Sequence, residues 1–395
     1  MNPYVRVELK RHEEQRILSG HPWVYANEVA KTHSKLSPGS RVEVVSAKGR
    51  VIGRGLASPA SKILVRLLAW DAVTEIDEAF IASRVRKAVQ ARQPMRELYA
   101  TTGLRLIFGE ADGLPGLIVD AFEEKAVLSC FSAGMNPFLP VIVETLVDLG
   151  FPVIYERSAG DSRQKEGLAE RQGFLRGEAT FPWKFKEGKA SFHSHPSMGQ
   201  KTGFYLDFRI AREKLSRLSA GKKILDAFCY QGSASIQAAL GGAGSVLGLD
   251  SSDSALEAAR ENARLNGVSD RLTFRKADCF HGMKALKEEG ASFDGMVLDP
   301  PPLVKSVHDL EAGKEAFRRL TEQALGLLNP GGFMVVSSCS HHFNWNALEE
   351  ALTAACREAG RRFILSERLS QPQDHPVLLG VPETEYLRAL VLREA

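Results

Sequence analysis

The stretch KILDAFCYQGSASIQAALGGAGSVLGLD (223–250) decides the architecture. KILDAF is an apolar run of strand length, a helix opens at Ser233, and SVLGLD returns as a second apolar strand. The alternation continues to the end of the chain. A helix over 253–265 leads to LTFRKAD and a helix at 281–288. GMVLD precedes a long helix over about 308–328, FMVVSSCS precedes NWNALEEALTAACREAG, and strands near 362–368 and 385–393 close the sequence. Strands and helices alternating through short connections predict an α/β fold over 190–395, a doubly wound, mainly parallel sheet with helices on both faces. Such a sheet binds ligands beyond the carboxyl ends of its strands, where the strand order reverses.

The turn after the first strand narrows the ligand. DAFCYQGSAS (226–235) has neither the G-x-G-x-x-G that cradles a dinucleotide pyrophosphate nor a Walker loop, and only Gly232 lies at the turn. A loop that need not hug phosphates fits a cofactor without them, and S-adenosyl-L-methionine is the commonest one on this fold. Asp250 ends the second strand, 24 residues after Asp226, where a carboxylate takes both hydroxyls of a ribose. Asp278 ends the third strand and can meet an adenine amino group. A single acidic residue at a strand end is ordinary solvated polarity. Three on successive strands are harder to attribute to packing.

Outward from this sheet, residues 73–185 read as an α+β unit. A helix over 77–99 carries an apolar stripe (Ile81, Val85, Ala88, Val89) and a basic face (Arg84, Arg86, Lys87, Arg92, Arg96). Strands follow at LRLIFGE, GLIVDAF and KAVLSCF, then a helix at 138–149 and the strand PVIYER. No catalytic constellation stands out, which suits a spacer or an RNA-contacting platform. Residues 1–72 read as a small β-barrel-like unit. RVEVVSAKGRVIGRGLAS (41–58) alternates around a Lys48-Gly49 turn, with Gly53 and Gly55 as bulge or packing positions, and KILVRLLAW (62–70) is a further strand.

Charge is unevenly spread. Residues 1–72 hold 12 Lys/Arg against 6 Asp/Glu, although the whole chain is only +3. A basic module before a near-neutral body is a plausible nucleic-acid footprint, or simply a solvated basic face. The 395 residues contain 25% charged and 44% hydrophobic residues, ordinary globular usage that excludes a disordered or collagen-like chain. The start, MNPYVRVELKRHEEQ, is charged where a signal peptide is apolar, and no stretch approaches the ~20 apolar residues of a membrane span. Five dispersed cysteines, never in CxxC, exclude a disulfide framework and the usual zinc spacings, so a cytoplasmic location is expected.

Taken in order, GHPWVYANEV (20–29), GQKTGFYLDFR (199–209), DAFCYQG, LDPP (298–301), SSCS (337–340) and DHPV (374–377) resemble the large-subunit (23S) ribosomal RNA cytosine-5 methyltransferase I family. The resemblance spans nearly the whole chain. It implies a PUA RNA-binding domain over 1–72, a central α+β domain over 73–185 and a class I methyltransferase domain over 190–395. It further implies S-adenosyl-L-methionine as cofactor, large-subunit ribosomal RNA as partner and room for a homodimer. By this match Lys201, Thr202, Gly203, Tyr205 and Asp207 close over the cofactor. Asp226, Phe228, Tyr230, Gly232 and Ser233 would form the first part of its pocket, with Asp250, Ser251, Asp278, Cys279 and Asp299 forming the rest.

The chemistry such a family performs sets its own demands. Carbon 5 of cytosine is a poor nucleophile, and addition of a thiolate to C6 makes it enamine-like. The reaction therefore needs a cysteine at a strand end and an acid near N3. Cys339 follows the long strand FMVVSSCS, flanked by Ser337, Ser338, Ser340, His341 and His342, and stands where the family has its nucleophile. Asp299 in LDPPP is by the same match the residue that holds N3 and the exocyclic amine. The bland reading of Cys339 alone is a small buried hydrophobe, and Cys130 and Cys356 keep that reading. Relatives that place a second cysteine in the Asp-Pro loop have no counterpart in this sequence, which has Pro302 there. The base that removes the C5 proton is therefore unassigned, with Lys305 and His308 as loop candidates.

His193 and His195 form an HxH pair without a third ligand, so no metal is expected. His375 reads as structural or near the target base. A methylated base must be unstacked, and Phe204 or Tyr205 would hold it. Arg11, Arg16, Lys31, Arg41 and Lys48 are the candidate phosphate contacts. Two other functions remain open: methylation of a base nitrogen such as guanine N7, and a non-catalytic RNA-binding assembly factor.

Overall fold

The computed structural model describes residues 3–198, 201–304 and 306–395. Lys305, one of the two loop candidates for the base, lies outside the described residues, as do Gly199 and Gln200 of the GQKTGFYLDFR segment. The chain divides into two compact units. One takes residues up to Phe185 together with Ser194–Phe204 and Gln373–Thr384, and the other takes Lys186–His193, Tyr205–Pro372 and Glu385–Ala395. No helix among the described residues is long and apolar enough to cross a membrane.

In the first unit, strands β1 (Val5–Leu9), β2 (Trp23–Tyr25), β3 (Val29–Thr32), β4 (Arg41–Val45), β5 (Val51–Ala57) and β6 (Ile63–Ala69) form one sheet, ordered β2-β6-β5-β4-β1-β3, with the short helix α1 at Gln15–Leu18. The β4–β5 hairpin turns at Lys48-Gly49, where Gly49 adopts φ +77°. Alternation along these strands sends Val7, Leu9, Val42, Val44, Val65 and Leu67 into one core. Gly55 is required by close approach, since a Cβ there would lie 2.2 Å from the Arg66 carbonyl oxygen on β6.

Helix α2 (Glu78–Leu98) begins where Asp77 accepts a hydrogen bond from the Phe80 N–H, and it buries Ile81, Val85, Ala88 and Val89. It packs on a second sheet of β7 (Gly103–Phe108), β8 (Leu117–Phe122), β9 (Lys125–Cys130), β10 (Val153–Ser158) and β11 (Arg171–Arg176), ordered β11-β10-β9-β8-β7, beside helices α3 (Leu139–Asp148) and α4 (Asp161–Lys165). Arg92 does not belong to the basic face expected of α2. It is 3% exposed and pairs with Asp112 through two 2.7 Å bonds, because it faces the turn between β7 and β8. Between the two sheets of this unit, Arg66 donates to Glu166 at 2.8 and 3.2 Å, both residues being buried.

A hairpin of β12 (Trp183–Glu187) and β13 (Ala190–Ser194) was not anticipated from the sequence. Its period-two pattern buries Trp183, Phe185 and Glu187 and exposes Lys184 and Lys186. The inward carboxylate of Glu187 makes the pattern look too polar for a strand. Arg209 and Arg212 satisfy it at 2.8–2.9 Å, and against the cost of burial their charges hold its pKa below the usual range.

The second unit is the predicted α/β layer. Strands β14 (Lys223–Ala227), β15 (Ser245–Asp250), β16 (Leu272–Lys276), β17 (Phe293–Leu298), β18 (Leu328–Ser338), β19 (Phe363–Ser370) and β20 (Arg388–Glu394) run in the order β16-β15-β14-β17-β18-β20-β19. Its helices are α5 (Arg209–Leu218), α6 (Ser233–Leu240), α7 (Asp253–Leu265), α8 (Cys279–Glu288), α9 (Leu310–Leu325) and α10 (Trp345–Glu358). The first five strands are parallel, whereas β20 is antiparallel to both β18 and β19. No helix of crossover length joins β19 to β20, so they cannot pair as parallel neighbours. The order reverses between β14 and β17, which puts the binding crevice at their carboxyl ends.

Candidate active site

The turn leaving β14 is built from unusual backbone. Phe228, Tyr230 and Gly232 all have left-handed φ, at +65°, +48° and +71°. Two aromatic residues in that region store strain of order 1–3 kcal/mol each, so their surroundings must hold them. The Phe228 N–H donates to the Cys279 sulfur (3.2 Å), the Cys229 N–H to the Leu249 carbonyl (2.9 Å), and the Tyr230 N–H to the Asp250 carboxylate (2.9 Å). Burial pushes the Cys279 thiol up to about 12, so it stays protonated and its S–H points to the Leu249 carbonyl oxygen at 3.6 Å. Cys279 thus positions the loop. At Gly232 a Cβ would lie 2.9 Å from the Phe274 ring and 3.0 Å from Ala259.

Three carboxylates gather here. Asp226 is 2% exposed and accepts from the N–H and hydroxyl of Ser235 at 2.9 and 2.6 Å. Burial, with added repulsion from Asp299 and Asp250, raises its pKa to about 7 despite the Ser235 bonds. Asp250 is half-buried at the end of β15, with one oxygen on the Tyr230 N–H and the other on the Ser252 N–H (2.9 Å). Asp278 is exposed and caps α8 by accepting from the His281 N–H at 3.1 Å. Ser251 is exposed and Ser233 half-buried.

At the ends of β17 and β18 the chain brings Asp299 and Cys339 to adjacent parallel strands, with Leu298 paired to Val336. The Ser337 hydroxyl donates to the Asp299 carboxylate, and the Ser340 hydroxyl accepts from the Val304 N–H at 3.4 Å, so serines tie the Asp-Pro loop to the Cys339 turn. Cys339 is half-buried and so stays within reach of solvent, unlike Cys130, Cys229 and Cys279. Tyr205 stands over this end, its ring 5.3 Å from that of Tyr230 and perpendicular to it. Burial first, then the neighbouring Tyr230 and the nearby Asp207, Asp299 and Cys339, raise the Tyr205 phenol above its usual range.

A model of S-adenosylmethionine-dependent methyltransferases matches residues 164–393, and one of PUA-like domains matches residues 7–70. The ribosomal RNA large subunit methyltransferase I of Shewanella denitrificans is 37% identical over 98% of this chain and 99% of its own. The enzyme of that name from Aeromonas salmonicida is 35% identical over the same shares. The chain belongs to the ribosomal RNA large subunit methyltransferase I family. Among solved structures, a candidate SAM-dependent methyltransferase from Streptococcus mutans superposes with TM-score 0.84 at 19% identity, covering 98% of this chain and all of that one. A candidate methyltransferase complexed with S-adenosylhomocysteine superposes with TM-score 0.85 at 18% identity and the same coverage. These likenesses concern the fold.

The family's cofactor is S-adenosylmethionine, and the β14 loop has the donor set for it. Each Asp250 oxygen accepts one backbone N–H and keeps a lone pair for a ribose hydroxyl. The bare Cα of Gly232 lets the turn pack directly on Phe274 and Ala259. Other residues of the expected set have different work. Thr202 is buried, and its hydroxyl donates to Asp120, which also takes two bonds from Arg105 at 2.7 and 2.8 Å. Lys201, Thr202, Gly203 and Phe204 lie in the first unit, while Tyr205 and Asp207 lie in the second. Phe204 is buried with its ring edge-on to Phe185 at 4.8 Å, so it packs the scaffold and cannot stack on a base.

Among the front-module cations, Arg11, Lys31 and Lys48 are exposed and Arg41 is half-buried. Arg16 is committed internally: it donates to both Glu28 oxygens (2.7 and 2.9 Å) and to the Trp23 carbonyl (2.9 Å). His308 is exposed. His375 is 1% exposed, 3.0 Å from Asp374 and packed on Phe108 within the first unit. Sequence reasoning missed Tyr386, whose hydroxyl donates to Asp207 at 2.6 Å and whose ring lies 5.9 Å from His341, and Arg388, which donates to the Ser340 and Phe343 carbonyls at 3.5 and 3.4 Å. No motif marks either residue.

Proposed function

We propose that this chain methylates carbon 5 of a cytosine in large-subunit ribosomal RNA, in the cytoplasm, through a covalent bond between Cys339 and C6. The observation that carries the reading is a solvent-reachable thiol at the end of β18 beside a carboxylate at the end of β17, in a methyltransferase sheet. The names of the curated relatives support the RNA, and the PUA-like match supports contact with it.

Bound S-adenosylmethionine supplies an electrophilic methyl group on a sulfonium. Asp250 would hold its ribose, with the strained loop at Phe228–Gly232 shaping the pocket. Cys339 Sγ adds to C6 of the unstacked base while the thiol proton passes by way of the Asp299 carboxylate to N3, which gives C5 enamine character. The Ser337 hydroxyl keeps the Asp299 carboxylate oriented. Once C5 carries the methyl, its proton passes to solvent, the C5–C6 double bond re-forms and the Cys339 thiolate is expelled, recovering the N3 proton by way of Asp299 and restoring the ring. Tyr205 and Tyr230 form the aromatic wall beside the reacting groups.

The test is Cys339→Ala assayed on large-subunit RNA with labelled cofactor and mass mapping of the product. 5-Methylcytosine formation should fall by at least 10³-fold, on the scale of losing a covalent nucleophile, while calorimetry finds cofactor affinity within about twofold of wild type. Undiminished methylation, or a product methylated on a base nitrogen, would exclude the adduct.

A further inference from the structure

We propose that the outer edge of the second sheet, at Phe174 on β11, is a stacking platform for an unpaired nucleotide of RNA. The inference rests on the reading that the substrate is RNA, and it adds a contact surface in the central sheet that the PUA-like match does not cover. Among the described residues β11 is the edge strand, paired only to β10, and Phe174 is 36% exposed on it. Its ring stacks on Phe181, centroids 5.7 Å apart and planes 12° from parallel, and both rings meet the buried Tyr155 edge-on at 5.0 and 5.1 Å. Phe181 leans in turn on Trp183 at 5.1 Å. The outermost ring is therefore held by two others, Phe181 and Tyr155, so little conformational freedom is lost when a base stacks on it. Gly173 precedes it with φ +152° and nothing within 4 Å of where a Cβ would stand, which leaves the strand bare beside the ring.

The same edge also carries cations. Arg171 and Arg176 stand on the face of β11 opposite to Phe174, since they pair with Ser158 and Ile154 whereas Phe174 pairs with Tyr155, and 52% and 46% of their side chains are in solvent; Lys184 is exposed on β12 after Trp183. Arg171 rests 3.6 Å from the buried Glu156, and Arg176 pairs with the exposed Glu144. An exposed pair of the second kind is worth little and exchanges readily for phosphate. Aromatic rings interleaved with cations on an exposed strand suit sequence-tolerant binding of single-stranded nucleic acid, the ring taking a base face and the cations its backbone.

The test uses the full chain and a fluorescein-labelled 12-nucleotide oligouridylate carrying 4-thiouridine. Phe174→Leu should weaken binding about five- to tenfold by anisotropy and Phe174→Trp should restore it, with cofactor affinity and melting temperature unchanged. Lys184→Gln and Arg176→Gln, both at the surface, should each lower the salt slope of binding by about 0.7. Photo-crosslinks should map to the segment from Arg171 to Lys184. Unchanged affinity and slopes, crosslinks confined to other segments, or no binding of the oligonucleotide by the wild type would overturn the platform. The probe contains no cytosine, so a failed cytosine reaction in the Cys339 assay leaves this result readable, and the reverse also holds.

Discussion

Asp226 shows how much one side chain's setting changes its chemistry. Its sequence position at the end of the first strand suggested a ligand for the cofactor, yet it is buried and bonded to the first turn of α6. Its folded pKa of about 7 stands above the ordinary 3.8, so between these values the native state holds a proton that the unfolded chain has released. Stability from this group is complete below about pH 4 and is lost as the pH rises through 7. Asp226→Asn removes the titration. The difference in urea unfolding free energy, wild type minus variant, should fall between pH 4 and pH 7.5, and a flat or rising difference would mean that Asp226 is ionised in the native state.

Among the elements, the turn between β14 and α6 is the most demanding. Its three left-handed residues hold a loop without phosphate-binding glycines, and at Gly232 neither the backbone conformation nor the space suits a side chain. Gly232→Ala combines a left-handed alanine with a Cβ against Phe274 and Ala259. We expect a loss of about 2–4 kcal/mol in urea unfolding and at least tenfold weaker cofactor binding by calorimetry. Full cofactor affinity in a destabilised variant would separate the loop's conformation from its binding role. The serines around Cys339 belong to the same scale. Ser337 and Ser340 join two strand-end loops that a linear reading treats separately.

At the scale of the molecule, the excess of basic residues in 1–72 invites a deletion, but the structure advises against it. Removing these residues takes Arg66 from the buried Glu166, and an unpaired buried charge costs about 3–5 kcal/mol. Neutralising the exposed cations is cleaner. Arg11→Gln, Lys31→Gln and Lys48→Gln together should lower the salt slope of RNA binding by about two to three without moving the melting temperature. A slope equal to that of wild type would remove the front module from the RNA interface.

The division of labour between sequence and fold follows from the range of the forces. Strand and helix order over 223–394, the hairpin at Lys48-Gly49 and the placing of Cys339 just past a long apolar strand were legible because periodicity, turn chemistry and strand-end polarity act over a few residues. The β12–β13 hairpin was not, because its inward Glu187 looks misplaced until Arg209 and Arg212 are folded against it. The same applies to the cations and hydroxyls whose partners lie far along the chain. Arg16 met Glu28, Arg92 met Asp112, Thr202 met Asp120 and Tyr386 met Asp207, partners 12, 20, 82 and 179 residues away. The sequence by itself determined which groups the chain carries and which elements present them. The tertiary structure alone decided which charges are neutralised by a neighbour and which stay free for a ligand, since burial and ion pairing are set by distance in space.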